Sequence, residues 1–104
     1  MGRCEKQLFF GMFANRLKVQ ILEELMARPM GVTELAGALD AERSKVSHAL
    51  LSMNACRIVH AEQDGRQRLY SVNNKTVLPM MRIAEKHVAG NCEKCLAMKQ
   101  EKGD

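Results

Sequence analysis

Residues 31–59, GVTELAGALDAERSKVSHALLSMNACRIV, admit few folds. Leu35, Ala36 and Leu39 recur at helical spacing behind Thr33, whose hydroxyl can cap a helix by engaging a free N–H of its first turn. Asp40 and Ala41 make a short break. A second helix is predicted over 42–56, with Val46, Ala49, Leu50 and Met53 on its buried side. Its opposite face carries Arg43, Ser44, Lys45, Ser47 and His48, all small polar or basic hydrogen-bonding groups. Two short helices joined by a tight turn, the second offering such groups near its N-terminus, form the pattern that enters a DNA major groove as a helix-turn-helix. An ordinary αα-hairpin with a solvated face satisfies the same spacing, so the neighbouring segments have to decide.

The period changes immediately afterwards. Ile58, Val59 and His60 lead into Gln63-Asp64-Gly65-Arg66, and Leu69, Tyr70 and Val72 follow. Asp-Gly between two short alternating runs predicts a β-hairpin closed by a type I′ turn, which needs residues of positive φ. A hairpin directly after a helix-turn-helix is the winged variant. Arg66 and Arg68 stand two apart just past the tip, so one strand face should carry both. There they could reach phosphates or a minor groove, or serve as plain charges on an exposed strand.

Upstream, a first helix beginning near Cys4 carries Leu8, Phe9, Met12 and Phe13, with Phe10 widening the apolar stripe. Asn15 is the expected cap of a second helix whose core stripe is Leu17, Ile21, Leu22 and Leu25. Arg28, Pro29 and Gly31 end it, because proline disfavours helix at the residue before it. Downstream, Thr76 can cap a last helix in which Pro79 falls in the first turn, where a missing N–H costs nothing. Val77, Met80, Met81, Ala84 and Val88 then make an apolar stripe, and Ile83 extends it. A domain this small has little interior to hide two such ends, so a homodimer seam built from the first and last helices is expected. The predicted fold is mainly α with a small β-hairpin wing, a winged helix-turn-helix over 1–90 followed by a C-terminal tail over 91–104.

Composition fits one domain able to bury about 65% of its unfolded surface. Sixteen basic against twelve acidic residues leave a net charge of +4, which suits a polyanionic partner without requiring one. The apolar run 8–14 is too short to span a membrane, and it leads into Arg16 and Lys18 rather than a small-residue cleavage site. Position 6 is Lys, where a myristoylation signal would place Ser or Thr. A cytoplasmic protein without membrane partners is expected. In that compartment four cysteines read as metal-binding or redox thiols more readily than as a disulfide scaffold.

The order helix, helix, helix-turn-helix, hairpin, helix resembles the ArsR/SmtB family of metal- and stress-responsive repressors. The likeness runs over 8–88. It rests on Leu17-Lys18-Val19-Gln20-Ile21-Leu22, Thr33-Glu34-Leu35-Ala36, Val46-Ser47-His48-Ala49-Leu50, Ile58-Val59 and Asp64-Gly65-Arg66 with Leu69-Tyr70-Ser71-Val72. The resemblance implies a homodimer on an imperfect palindrome, its recognition helices in major grooves roughly 34–36 Å apart. It also marks departures. The Asp-Pro-Thr-Arg-like opening of the second helix is Ala14-Asn15-Arg16-Leu17 here, and Arg57 stands where the recognition helix usually ends in Gly. The first helix of the helix-turn-helix, Val32-Thr33-Glu34-Leu35-Ala36, lacks the Cys pair many members place there. The family's last-helix zinc site survives only as His87, with Asn74, Thr76 and Gly90 at its other positions.

The remaining chemistry is in His87-Val88-Ala89-Gly90-Asn91-Cys92-Glu93-Lys94-Cys95. Gly90 should weaken the last helix, and Asn91 could cap a fresh start at Cys92 that favours its thiolate. Cys92 and Cys95, at Cys-x-x-Cys spacing, can face one soft ion or form a disulfide. Zn²⁺ or Cd²⁺ wants four ligands and trivalent arsenic three, so more must come from elsewhere. Cys4 is the first candidate, and Cys56 and His87 are further ones. For Cys56 the competing reading is a small buried hydrophobe, and for His87 an exposed polar residue.

The reading that follows is a repressor that binds double-stranded operator DNA as a homodimer. It needs no cofactor for that, and a thiophilic metal or metalloid ion bound through cysteines releases it. Alternatives are thiol oxidation or persulfidation without metal, and a winged-helix protein-interaction module with a structural metal clip. An enzyme is not expected, because thiol oxidoreductases place Cys-x-x-Cys between a strand and a helix of a βαβ unit.

Overall fold

The structure is a computed structural model that describes residues 5–91. Five helices and one hairpin follow in the order α1 (Lys6–Met12), α2 (Arg16–Leu25), α3 (Val32–Leu39), α4 (Arg43–Ala55), β1 (Val59–Asp64), β2 (Gln67–Val72) and α5 (Val77–Asn91). This is the winged helix-turn-helix expected from the sequence. The chain divides after Asn73 into two compact units.

In the first unit the core is assembled from one face of each helix. Ile21, Leu22 and Leu25 of α2, Leu35 and Ala36 of α3, and Val46, Ala49, Leu50 and Met53 of α4 are buried, joined by Ile58, Val59, Tyr70 and Val72 of the hairpin region. Leu17, expected in the α2 stripe, is only half-buried. The Asn15 side-chain oxygen accepts from the Lys18 N–H at 3.0 Å, the cap that its position predicted. α1 begins at Lys6 rather than near Cys4. Phe9 stacks edge-on with Phe10 and Phe13, while Leu8 (51%) and Phe10 (59%) stay exposed.

α3 starts earlier than Thr33 could cap it. Its N-cap is Gly31, with no side-chain bond. The cause lies in the wing: Met30 exchanges both backbone hydrogen bonds with Tyr70 (3.0 and 2.9 Å), which holds Met30 extended beside β2. A Cβ on Gly31 would stand 3.3 Å from the Arg68 carbonyl oxygen. Glycine lets the two backbones approach, and the chain turns into helix at the next residue. Across the same junction Arg28 pairs with Glu34, and that contact holds the Glu34 carboxyl below its ordinary range.

α3 and α4 end alike. Asp40 (φ 53°) and Arg57 (φ 61°) are the two non-glycine residues of positive φ among the described residues. After Asp40, Ala41 N–H bonds Ala36 O and Asp40 N–H bonds Gly37 O. After α4, Ile58 N–H bonds Met53 O and Arg57 N–H bonds Asn54 O. Each pair is the Schellman pattern that satisfies the last carbonyls of a helix. Arg57 therefore occupies the left-handed position where the resemblance expected Gly.

β1 and β2 pair antiparallel, from Val59 opposite Val72 to Asp64 opposite Gln67. That register makes Gly65 and Arg66 the two corner residues, not Asp64 and Gly65. Only Gly65 has positive φ (65°), so the turn follows the II′ pattern rather than the expected I′. An arginine at the second corner position resists the left-handed conformation that I′ requires.

The second unit contains α5. The Met80 N–H bonds the Thr76 carbonyl at 3.3 Å, so the helix begins where the Thr76 and Pro79 argument placed it. Val77 and Met81 are buried, and Ile83 (67%) and Val88 (39%) are exposed. α5 runs through Gly90 to Asn91, so Asn91 belongs to this helix rather than capping a new one.

Candidate nucleic-acid interface

The packing of α4 decides which of its side chains can meet another molecule. With Val46, Ala49, Leu50 and Met53 turned into the core, Arg43, Ser44, Lys45 and His48 are exposed and Ser47 is half-buried. All five lie in the first half of the helix, next to the α3–α4 turn. The residues singled out from sequence are thus together on one helix and point away from its apolar side. Ser52, one turn beyond His48, donates its hydroxyl to the His48 carbonyl at 3.2 Å.

The wing departs from expectation in one respect. Arg66 is in the hairpin corner and Arg68 on β2, so the two do not share a strand face. The Arg68 guanidinium lies over the Tyr70 ring, 5.8 Å from its centroid, a cation–π geometry that orients it. Arg66 is exposed at the tip.

Sequence reasoning missed a cleft of about 560 Å³ between the start of α2 and the flank of α4. Asn15 and Lys18 form one wall, and Ser44, Lys45, His48 and Ser52 the other. No spacing rule could have found it, because the walls are brought together only by packing α2 against α4. Lys18 reads in sequence as an ordinary polar position between the core residues of α2.

The thiol residues are placed unevenly. Cys4, Cys92 and Cys95 lie outside the described residues. Cys56 closes α4 as its C-cap, half-buried, with its sulfur in a disulfide. His87 is exposed on α5. Among the described residues no group of three or more His, Cys, Asp or Glu side chains could hold a metal ion, and no helix is long and apolar enough to cross a membrane.

Comparison with known proteins bears on the same segments. Residues 6–76 match the family model described as the N-terminal domain of the methanogenesis regulatory protein FilR1. Over 68 residues, 65% of this chain and 52% of the relative, the sequence is 34% identical to the HTH-type transcriptional regulator KmtR of Mycobacterium tuberculosis. Over 80 residues, 77% of this chain and 61% of the relative, it is 28% identical to the transcriptional repressor SmtB homolog of Synechocystis sp.. The chain thus spans between 52% and 61% of the length of these two curated relatives. The solution structure of the homodimeric winged helix-turn-helix DNA-binding domain of Mb0332 from Mycobacterium bovis superposes with a TM-score of 0.67 at 21% identity, over 80% of this chain and 81% of that one. With 6–76 matched to the FilR1 N-terminal domain, KmtR and the SmtB homolog among its relatives, and its helices and wing in this order, the chain belongs to the ArsR/SmtB family of winged helix-turn-helix proteins.

Proposed function

We propose that this protein is a transcriptional repressor that binds a palindromic operator as a homodimer, in the cytoplasm, and is released when a thiophilic ion binds its cysteines. One observation carries the DNA-binding part: the exposed polar groups of α4 are Arg43, Ser44, Lys45 and His48, basic or neutral hydrogen-bonding side chains with no carboxylate among them. Such a face suits the acceptor-rich floor of the major groove and the phosphates at its rim. The curated relatives, named as transcription regulators, support the same reading. A homodimer is supported by the uncovered apolar residues of α1 and α5 and by the homodimeric Mb0332 domain. The release step assigns Cys92, Cys95 and Cys4 as ligands, with His87 and, once its disulfide is reduced, Cys56 as further candidates. An ion can shift the protein off DNA only by binding its two forms unequally, and such coupling is typically about 1–3 kcal/mol.

The disulfide at Cys56 favours a second reading of the release step. Two thiols give up two electrons and two protons to a peroxide, which leaves as water, and the new S–S bond changes the end of the recognition helix. Binding of upstream duplex and of random duplex, measured by fluorescence anisotropy at fixed salt, tests the core of the proposal. Preference for an upstream fragment is the expected result, and equal affinity for both would overturn it. Adding arsenite, Cd²⁺ or peroxide to the reduced complex then separates the inducers. A Cys92→Ser/Cys95→Ser protein that still releases DNA fully with all three would remove the tail thiols from the mechanism.

A further inference from the structure

We propose that the cleft between α2 and α4 seats a phosphate of the DNA backbone, with Lys18 as a binding residue on a helix other than the recognition helix. The inference rests on the DNA-binding reading above and adds to it where the backbone is held. Lys18 and Lys45 line opposite walls, and no carboxylate is among the lining side chains. The hydrogen-bond arithmetic points the same way. The Asn15 side-chain oxygen is used by the Lys18 N–H, which leaves its NH₂ group to donate. Ser44 and His48 can each donate as well. The Lys18 ammonium rests 3.4 Å from the Met12 sulfur, a weak acceptor that a phosphate oxygen readily replaces. The cleft therefore offers donors and positive charge, the complement of an oxyanion. Ser44, Lys45 and His48 also belong to the face of α4 that would enter the groove, so the oxyanion within reach when α4 docks is a backbone phosphate at the groove's edge.

The test is the salt dependence of binding to a random-sequence duplex, for the wild type, Lys18→Gln and Lys18→Arg. Each lost phosphate contact makes the slope of log K against log salt shallower by about 0.9. Lys18→Gln should lose that amount per protomer and bind specific and random DNA more weakly by the same factor, while Lys18→Arg keeps the wild-type slope. Ser52→Asp, which sets a carboxylate on the opposite wall, should weaken binding without touching α2. Thermal unfolding of each variant confirms that it is folded under the binding conditions. A folded Lys18→Gln protein with the wild-type slope overturns the cleft assignment alone, whereas a wild type that binds no duplex overturns it together with the DNA-binding reading. A Lys18-dependent rise in Tm with inorganic phosphate, at unchanged duplex affinity, would reassign the cleft to a small anion and equally overturn the proposal.

Discussion

Arg57 shows how much a single backbone angle can cost. A left-handed φ places the Cβ of an L-residue against its own carbonyl, at a cost of about 1–2 kcal/mol, and glycine returns part of that through its greater unfolded-state entropy. Arg57→Gly is therefore expected to raise stability by about 1 kcal/mol, read as a higher urea midpoint at unchanged m-value. Asp40→Gly should gain less, because the short polar aspartate side chain tolerates this region better than arginine. Arg57 was legible from the sequence because a family pattern marks its position. Asp40 was legible only as a break, since no rule distinguishes a left-handed aspartate from any other turn residue. The Glu34–Arg28 pair makes a different prediction. Glu34 is held below its ordinary value of 4.5 by its hydrogen bond to Arg28. Its contribution to stability is thus complete above that value and is lost as pH falls through the lower folded-state value. The gap in urea midpoint between the wild type and Glu34→Gln should be constant near neutrality and close below about pH 4.5. High salt should shrink it, since both groups are exposed.

At the scale of the element, the wing is positioned as much by the α2–α3 linker as by its own turn. The Met30–Tyr70 backbone pair anchors β2, and Gly31 permits the close approach of the Arg68 carbonyl. Because that oxygen sits in a strand bonded on both sides, it has little room to give way. Gly31→Ala should cost about 1 kcal/mol through crowding, or displace the wing tip and weaken DNA binding without altering the α-helical circular dichroism. The hairpin was readable from Asp64-Gly65, but its register was not. Pairing of Asp64 with Gln67 depends on where β2 is held by Met30, a contact 40 residues away in sequence. That shift moves Arg66 from strand to corner, where it faces solvent at the tip. Arg66→Ala should therefore lower affinity for specific and random DNA alike. His48→Ala, on the exposed face of α4, should narrow the ratio between them. Equal losses on both duplexes for the two variants would refute this division. The exposed polar face of α4 was legible because one helix carries it, whereas the α2–α4 cleft joins residues whose nearness no local pattern encodes.

For the whole molecule, the governing quantity is apolar surface that one chain does not cover. Leu8 and Phe10 on α1, and Ile83 and Val88 on α5, are more than a third exposed. Each helix lies at one end of the described residues and buries other residues of its own, Met12 on α1 and Val77 and Met81 on α5, so the surplus is a second face and not a failure of packing. Covering such faces with a second copy removes apolar area from water at about 25 cal/mol per Å². In the proposed complex it also sets two α4 helices on one DNA duplex. Phe10→Glu and Ile83→Glu should each shift the protein from dimer to monomer in analytical ultracentrifugation at micromolar concentration, with little change in helical content. The consequence for DNA is multiplicative: two linked half-site contacts act at high effective concentration, so a monomer should lose far more affinity for a palindrome than for a single half-site. A monomeric variant that holds the palindrome as tightly as the wild type would show that one protomer suffices. A Phe10→Glu protein that remains dimeric would instead remove α1 from the seam and leave α5 to carry it.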